Sequence, residues 1–362
     1  MARRLGAPLH LFFDTANRLA TRVAQEEFMN NVVTIGIPVY KRLQYLPAVL
    51  NIVASQDYPH IELLVSDNGV NGRAVPDIVS KHYRKPYRFR QNPSTVSIST
   101  HFNQLIHEAS GEYFIVLADD DEITPNYASD LVCLLEKHPQ ASVAFAVQQT
   151  IDDDGNVISS SKNTVPEVLS GPDFIRAIWG THEYGFRSLS TYLARRRSLM
   201  ACGGYPEVWA GTSDEDLLMV KLCVDNFVGF SARCAFRKRF DESSYGYSIT
   251  MQDLARGIKE FLKILDSDAK LSAYAASHPV EWSDSKRYLV EMVWKTYYYR
   301  WTGLYKSRLT PFEWIRAGFA MPFVPDYYRA VSHECINALL NRAKRLFPFA
   351  YNIYRAARHG RS

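Results

Sequence analysis

Short apolar runs alternate with amphipathic stretches from residue 32 to residue 148. Residues 32–39 (VVTIGIPV) are rich in β-branched side chains and close on a proline, which predicts a strand that stops there. Residues 61–65, 87–90, 113–117 and 142–148 are further runs too short for helices. Between them, residues 43–56, 74–82, 98–109 and 125–137 read as helices, the last opened by Pro125 and Asn126. Apolar strands alternating with helices predict an α/β fold, a mostly parallel sheet covered by helices on both faces. Such sheets bind ligands beyond the carboxyl ends of their strands. Two polar clusters fall at that edge: Ser66-Asp67-Asn68-Gly69, with turn chemistry, and Asp119-Asp120-Asp121.

Outside this region the pattern changes. Residues 1–30 predict a short amphipathic helix, with Leu9, Phe12, Phe13, Leu19 and Val23 near helical spacing. From about residue 250 the chain reads as helices rich in Tyr, Trp and Arg. The expected division is thus an N-terminal helical segment (1–30), an α/β domain (31–249) and a helical extension (250–362). No internal repeat is found.

Composition narrows the classes. With 47% hydrophobic and 22% charged residues over 362 positions, the chain is globular rather than disordered. Five cysteines without C-x-x-C spacing suggest neither a disulfide framework nor a zinc site. The apolar stretch after Arg3-Arg4 is short and broken by Pro8 and His10, so a signal peptide is not expected. No run approaches the roughly 18 apolar residues of a spanning helix. A cytoplasmic protein, soluble or peripheral on the membrane, is expected. The net charge of +4 conceals an asymmetry: residues 281–362 carry 14 Lys and Arg against 6 Asp and Glu. Trp294, Tyr297, Tyr298, Tyr299, Trp301 and Trp314 lie among them. A basic, aromatic-rich surface suits an anionic membrane. No nucleic-acid motif accompanies the charge, so nucleic acid is not expected as a partner.

The turn after the first strand, Ile37-Pro38-Val39-Tyr40-Lys41-Arg42, lacks the glycines of a dinucleotide fingerprint or a P-loop. No nucleophile elbow occurs either. The acidic triplet after the 113–117 strand is the stronger chemical signal. Adjacent carboxylates at a buried strand end repel one another unless solvent or a cation compensates, and a hard divalent ion does so with oxygen ligands. A second triplet, Asp152-Asp153-Asp154-Gly155, reads instead as a solvated hairpin turn.

Taken in order, these segments resemble the family 2 glycosyltransferases, which have the GT-A fold. The resemblance spans roughly residues 32–245. Residues 33–42 (VTIGIPVYKR) resemble the family's first strand and turn, 62–69 (ELLVSDNG) its second strand, and 111–125 (GEYFIVLADDDEITP) its metal-binding segment. Gly203-Gly204-Tyr205 followed by Asp214-Glu215-Asp216 resembles its general-base segment. The resemblance implies an inverting transfer from a nucleotide-sugar donor to a glycan or lipid-linked glycan, in surface polysaccharide biosynthesis. It implies that Pro38, Val39, Tyr40, Arg42, Asp67, Asn68, Asn103, Asp119 and Asp120 bind the donor, with Asp67 on the base. Asp119, Asp120 and Asp121 would hold Mg²⁺ or Mn²⁺. Asp216 would be the general base, with Glu215 and Asp214 as further candidates; as a structural matter, Ser213 and Asp214 would also cap a helix. Two departures stand out. Aligned on Pro125, the first expected carboxylate falls on Ala118. Strand alternation pairs Asp119 with Asp121 instead, so which pair meets the metal is open. The His that often completes the family's metal site is missing from 237–245, leaving Asp241 as a substitute, or Arg237 and Arg239 to neutralise the diphosphate. The alternatives are a catalytically degenerate nucleotide-sugar-binding protein and a sugar-1-phosphate nucleotidyltransferase. The latter lacks its Gly-rich, Arg-bearing loop here.

Overall fold

The computed structural model describes residues 31–186, 189–240, 245–302 and 346–347. The helix expected over 1–30, Asp241 and most of the chain after residue 302 lie outside them. A single ten-stranded sheet organises the rest. Its strands are β1 (Val33–Val39), β2 (Ile61–Asp67), β3 (Tyr87–Gln91), β4 (Tyr113–Val116), β5 (Glu122–Ile123), β6 (Ala141–Ile151), β7 (Val157–Ser160), β8 (Val168–Ser170), β9 (Leu193–Arg195) and β10 (Phe227–Arg239). The order is β3-β2-β1-β4-β9-β6-β10-β5, with β7 on β6 and β8 on β10. The pairs β1–β2, β2–β3, β1–β4 and β6–β10 are parallel, while β9 inserts antiparallel between β4 and β6. The chain over 189–195 becomes a strand only from Leu193, which pairs with both neighbours.

Besides a single turn at Tyr245–Ser248, the α-helices are α1 (Leu46–Ala54), α2 (Ala74–His82), α3 (Ile98–Glu108), α4 (Tyr127–Lys137), α5 (Gly171–Ile175), α6 (Arg196–Ala201), α7 (Asp214–Cys223), α8 (Met251–Ser267), α9 (Ala269–Ser277) and α10 (Pro279–Thr302). Alternation along the strands sorts two cores. Val33, Ile35, Ile37, Tyr113, Ile115 and Leu117 face α1, α2 and α4. Phe114, Val116, Val143 and Phe145 face α3, α5, α7, α8 and α10. Helix α1 has no side-chain cap at its N-terminus, so burial of Leu46, Val49, Leu50 and Val53 holds it. Each such side chain contributes about 1.5–3 kcal/mol.

Pro38 sits in a central strand, where a missing N–H would ordinarily break the ladder. It is tolerated because its alternation faces β4, and that pairing ends at Gly36–Val116, with Leu117 N donating to Gly36 O (3.0 Å). Beyond that point β1 has no ladder partner on this side among the described residues, and Tyr40 N at its end meets the acidic turn instead.

The C-terminal helices belong to the second core. Trp294, Tyr297, Tyr298 and Trp301 are buried there and pack against the rest of that core. A poorly exposed ion pair, Lys221 Nζ to Asp268 Oδ2 (2.9 Å), ties α7 to the start of α9, which Asp268 also caps. Among the described residues no helix is long and apolar enough to cross a membrane, and Cys133, Cys202, Cys223 and Cys234 are unpaired.

Candidate active site

Beyond Val39 the chain turns sharply, with Lys41 in a left-handed backbone (φ 64°) uncommon for a non-glycine residue. This turn delivers two donors to the acidic segment. Tyr40 N donates to Asp119 Oδ2 (3.3 Å). The Arg42 guanidinium lies 2.8 Å from Asp120 Oδ2 and 3.6 Å from Asp119 Oδ1. Residues 118–121 form a turn, closed by Asp121 N to Ala118 O (3.3 Å), so strand alternation does not govern them. Asp119 and Asp120 therefore converge on one cation, whereas Asp121 turns away to accept from Arg239 N (3.0 Å). All three are buried. Burial, reinforced by the charge of Asp120, pushes Asp119 up to about 7 and Asp121 up to about 7.

The second acidic cluster opens α7. Ser213 precedes it in a left-handed backbone (φ 57°) and makes no cap bond, contrary to the capping role expected for it. Asp214 is locked instead to α3: Ser99 Oγ donates to its Oδ2 (2.9 Å), and Glu215 N donates to its Oδ1 (2.9 Å). Burial and the neighbouring Glu215 push Asp214 up to about 8. Asp216 accepts a hydrogen bond from Trp179 Nε1 (3.0 Å). Burial raises its pKa, and the Trp179 N–H and Ser213 hydroxyl oppose the rise. Trp179 stands on a single π-helical turn, Arg176–Gly180, a geometry often found at functional sites. Glu215, pushed up to about 7 by burial, and Asp121 both feel the positive charge of Lys238 on β10. Asp121 also feels the charge of Glu215, so the two acidic clusters lie within electrostatic reach of one another. Asp216 and Glu215 keep some solvent access, whereas Asp214 is buried.

The residues expected around the base shape the site from below. Asp67 is fully buried and accepts from Asn71 N (3.2 Å), Asn71 Nδ2 (2.8 Å) and Gln91 Nε2 (3.0 Å). Asn68 binds both backbone groups of Val96 and accepts from Asn92 Nδ2 (3.1 Å). Pro38 and Val39 are buried in β1, and Tyr40 is half-buried at its end. Asn103 lies elsewhere: its amide clamps the backbone N and O of Tyr205 (2.8 Å each). At Gly204 (φ 69°) a Cβ would stand 2.2 Å from Asn103 Oδ1, so that glycine is required. Next to Asp67, buried His101 pairs with Ser66 Oγ (2.8 Å), and burial pushes its pKa down to about 4.

Arg239 does not face a diphosphate. Its side chain donates to the carbonyls of Asp120 (3.0 Å), Asp152 (2.6 Å) and Asp153 (2.8 Å) and to Glu122 Oε1 (2.6 Å), beneath the Tyr45 ring. The turn at 152–155 exists as expected, but it braces the acidic segment through Arg239 rather than lying idle in solvent. Arg237 donates to Gln149 Oε1 (3.1 Å) and stays partly exposed. Trp179, Ser99, Lys238 and Arg239 as a strut escaped the sequence reading, because each reaches the site from a distant segment.

The sequence pattern of glycosyl transferase family 2 matches residues 34–203. An uncharacterized glycosyltransferase of Rickettsia conorii is 28% identical over 130 residues, covering 35% of this chain and 21% of that protein. The chain thus spans about a fifth of that relative's length. An uncharacterized protein of Mycobacterium bovis is 28% identical over 122 residues, covering 32% of this chain and 35% of its own. Among solved structures, S. aureus TarS 1-349 in complex with UDP-GlcNAc aligns with a TM-score of 0.58 at 16% identity, covering 91% of this chain and 92% of that one. The mannosyltransferase PcManGT from Pyrobaculum calidifontis, in complex with GDP-Man and Mn²⁺, aligns with a TM-score of 0.50 at 14% identity, covering 88% and 87%. These likenesses establish the GT-A fold.

Proposed function

We propose that this chain, whose residues 34–203 match the glycosyl transferase family 2 pattern, moves a sugar from a nucleoside-diphosphate donor to a hydroxyl of a glycan or lipid-linked glycan. The observation that carries the reading is the convergence of Asp119 and Asp120 on Arg42 at the carboxyl edge of the parallel strands, with the α7 carboxylates within electrostatic reach. Parallel sheets bind nucleotides at that edge.

Asp119 and Asp120 fit a Mg²⁺ or Mn²⁺ ion, since both already converge on one positive group and such ions take one or two carboxylates besides substrate phosphates. No cluster of three ligating side chains exists among the described residues. When bound, the ion would offset charge on the departing diphosphate. Asp216 is the base of the proposal. Burial raises its pKa toward the working range of a general base, and Trp179 holds one of its oxygens. One base and a single displacement give inversion at the anomeric carbon. The nucleotide-sugar-bound states of the structural neighbours are consistent with such a donor. Polysaccharide assembly at the cytoplasmic face of a membrane is the setting that fits the proposed acceptor.

Calorimetric titration with UDP-, GDP- and dTDP-sugars, with and without Mn²⁺, tests the reading and names the base. Binding of none of them to the full chain sinks it. Binding without any transfer or hydrolysis, together with an inert Asp216→Asn change, would favour a degenerate binder.

A further inference from the structure

Arg42 occupies an unusual position for a donor-binding residue. Its guanidinium bridges the two carboxylates best placed for a divalent ion, at 2.8 Å from Asp120 and 3.6 Å from Asp119. Both carboxylates are buried, so neither is neutralised by bulk water. A positive group and a divalent ion competing for the same oxygens repel each other strongly in a poorly screened pocket. The arginine side chain is 24% exposed and departs from a tight turn (Arg42 N to Tyr40 O, 2.8 Å) whose Lys41 is left-handed. It therefore has a route outward that Asp119 and Asp120 lack. Arg239, by contrast, is spent on three carbonyls and Glu122.

We infer that Arg42 is a resident counter-ion of the Asp119–Asp120 pair, displaced by the divalent ion and then available to the donor diphosphate. The inference rests on the glycosyltransferase reading above. Without donor, Arg42 stays paired with both carboxylates and disfavours the metal. With donor, the displaced guanidinium meets phosphate oxygens, which it pairs in bidentate fashion. Metal and nucleotide thereby favour each other through one side chain.

The test is Mn²⁺ binding to the full chain, read as free Mn²⁺ by electron paramagnetic resonance, for wild type, Arg42→Gln and Arg42→Lys. UDP and GDP are titrated in parallel, with and without Mn²⁺. In the absence of nucleotide, Arg42→Gln binds Mn²⁺ at least tenfold more tightly than wild type. At saturating Mn²⁺ the same variant binds the preferred nucleotide at least tenfold more weakly. These opposite signs are the signature of exchange. Arg42→Lys, which places one point charge where the fork bridges two oxygens, tightens Mn²⁺ about threefold and carries the test if the glutamine variant is unfolded by circular dichroism. Equal or weaker Mn²⁺ binding by the variants, or no Mn²⁺ binding by any form, overturns the exchange while nucleotide binding still stands. Failure of every form to bind nucleotide overturns the functional reading instead.

Discussion

Replacing Arg239 by methionine isolates the strut beneath the acidic turn. The guanidinium is almost wholly buried and satisfies three backbone carbonyls and one oxygen of Glu122. Methionine preserves much of the volume and none of the donors. Leaving a buried carboxylate without its partner costs about 3–5 kcal/mol. Arg237, 3.9 Å from the other oxygen of Glu122, retains part of the pairing, which places the expected loss near 3 kcal/mol. At about 2 °C per kcal/mol for a chain of this size, Tm falls by about 6 °C. Arg239→Lys, able to reach only some of the acceptors, loses about half as much. Differential scanning calorimetry reads both, and nucleotide titration on the folded variants gives the control. A strut predicts lost stability with nucleotide affinity kept within about threefold for the lysine variant. Unchanged Tm in Arg239→Met with lost nucleotide affinity would refute the reasoning and restore Arg239 as a diphosphate ligand.

Other outcomes follow from the same geometry. Asp216→Asn should lower transfer by about 10²–10⁴-fold while leaving nucleotide affinity intact, checked by turnover and calorimetry side by side. Trp179→Phe removes the N–H that favours the charged form of Asp216. The Asp216 pKa then rises, and the acidic limb of the pH–rate profile shifts to higher pH. His101 is held near 4, below its unfolded value of about 6.5, so the unfolded chain binds more protons between these values. Stability from this group is complete above pH 6.5 and declines by about 3 kcal/mol toward pH 4. Urea unfolding at stepped pH should show His101→Gln losing that part of the slope. Lys221→Met strands Asp268 and should destabilise by about 1–3 kcal/mol, less than a fully buried pair because Asp268 also caps α9 and can be partly hydrated.

The sequence made the left half of the sheet readable because those strands are uninterrupted apolar runs bounded by turn residues. β1 to β4 and the helices between them fall close to where periodicity put them. β9 was harder: three residues inserted between two strands carry no periodicity of their own. The acidic triplet announced itself by composition, yet its division into a pair and an outlier did not. Alternation applies to strands, and 118–121 is a turn. Arg239 was misread for a related reason: its partners are mainly carbonyl oxygens, which every residue type offers equally. Asn103 lay in the right segment of the family pattern, but its amide is committed to Tyr205. The burial of Trp294, Tyr297, Tyr298 and Trp301 within α10 is likewise not encoded by charge count.

The loop that leads into α7 is gripped by α8. Trp209 lies under the Arg256 guanidinium (3.3 Å), its indole N–H donates to Asp253 (2.7 Å), and its backbone N donates to Glu260 (2.7 Å). At Gly257 a Cβ would stand 2.4 Å from Thr212 Oγ1, so α8 touches the loop without clearance. Helix and loop are therefore one inheritable unit: a chimera that exchanges residues 251–302 between related chains must carry 207–216 with them, and recombination at residue 250 would separate the loop before the proposed base from the helix that grips it.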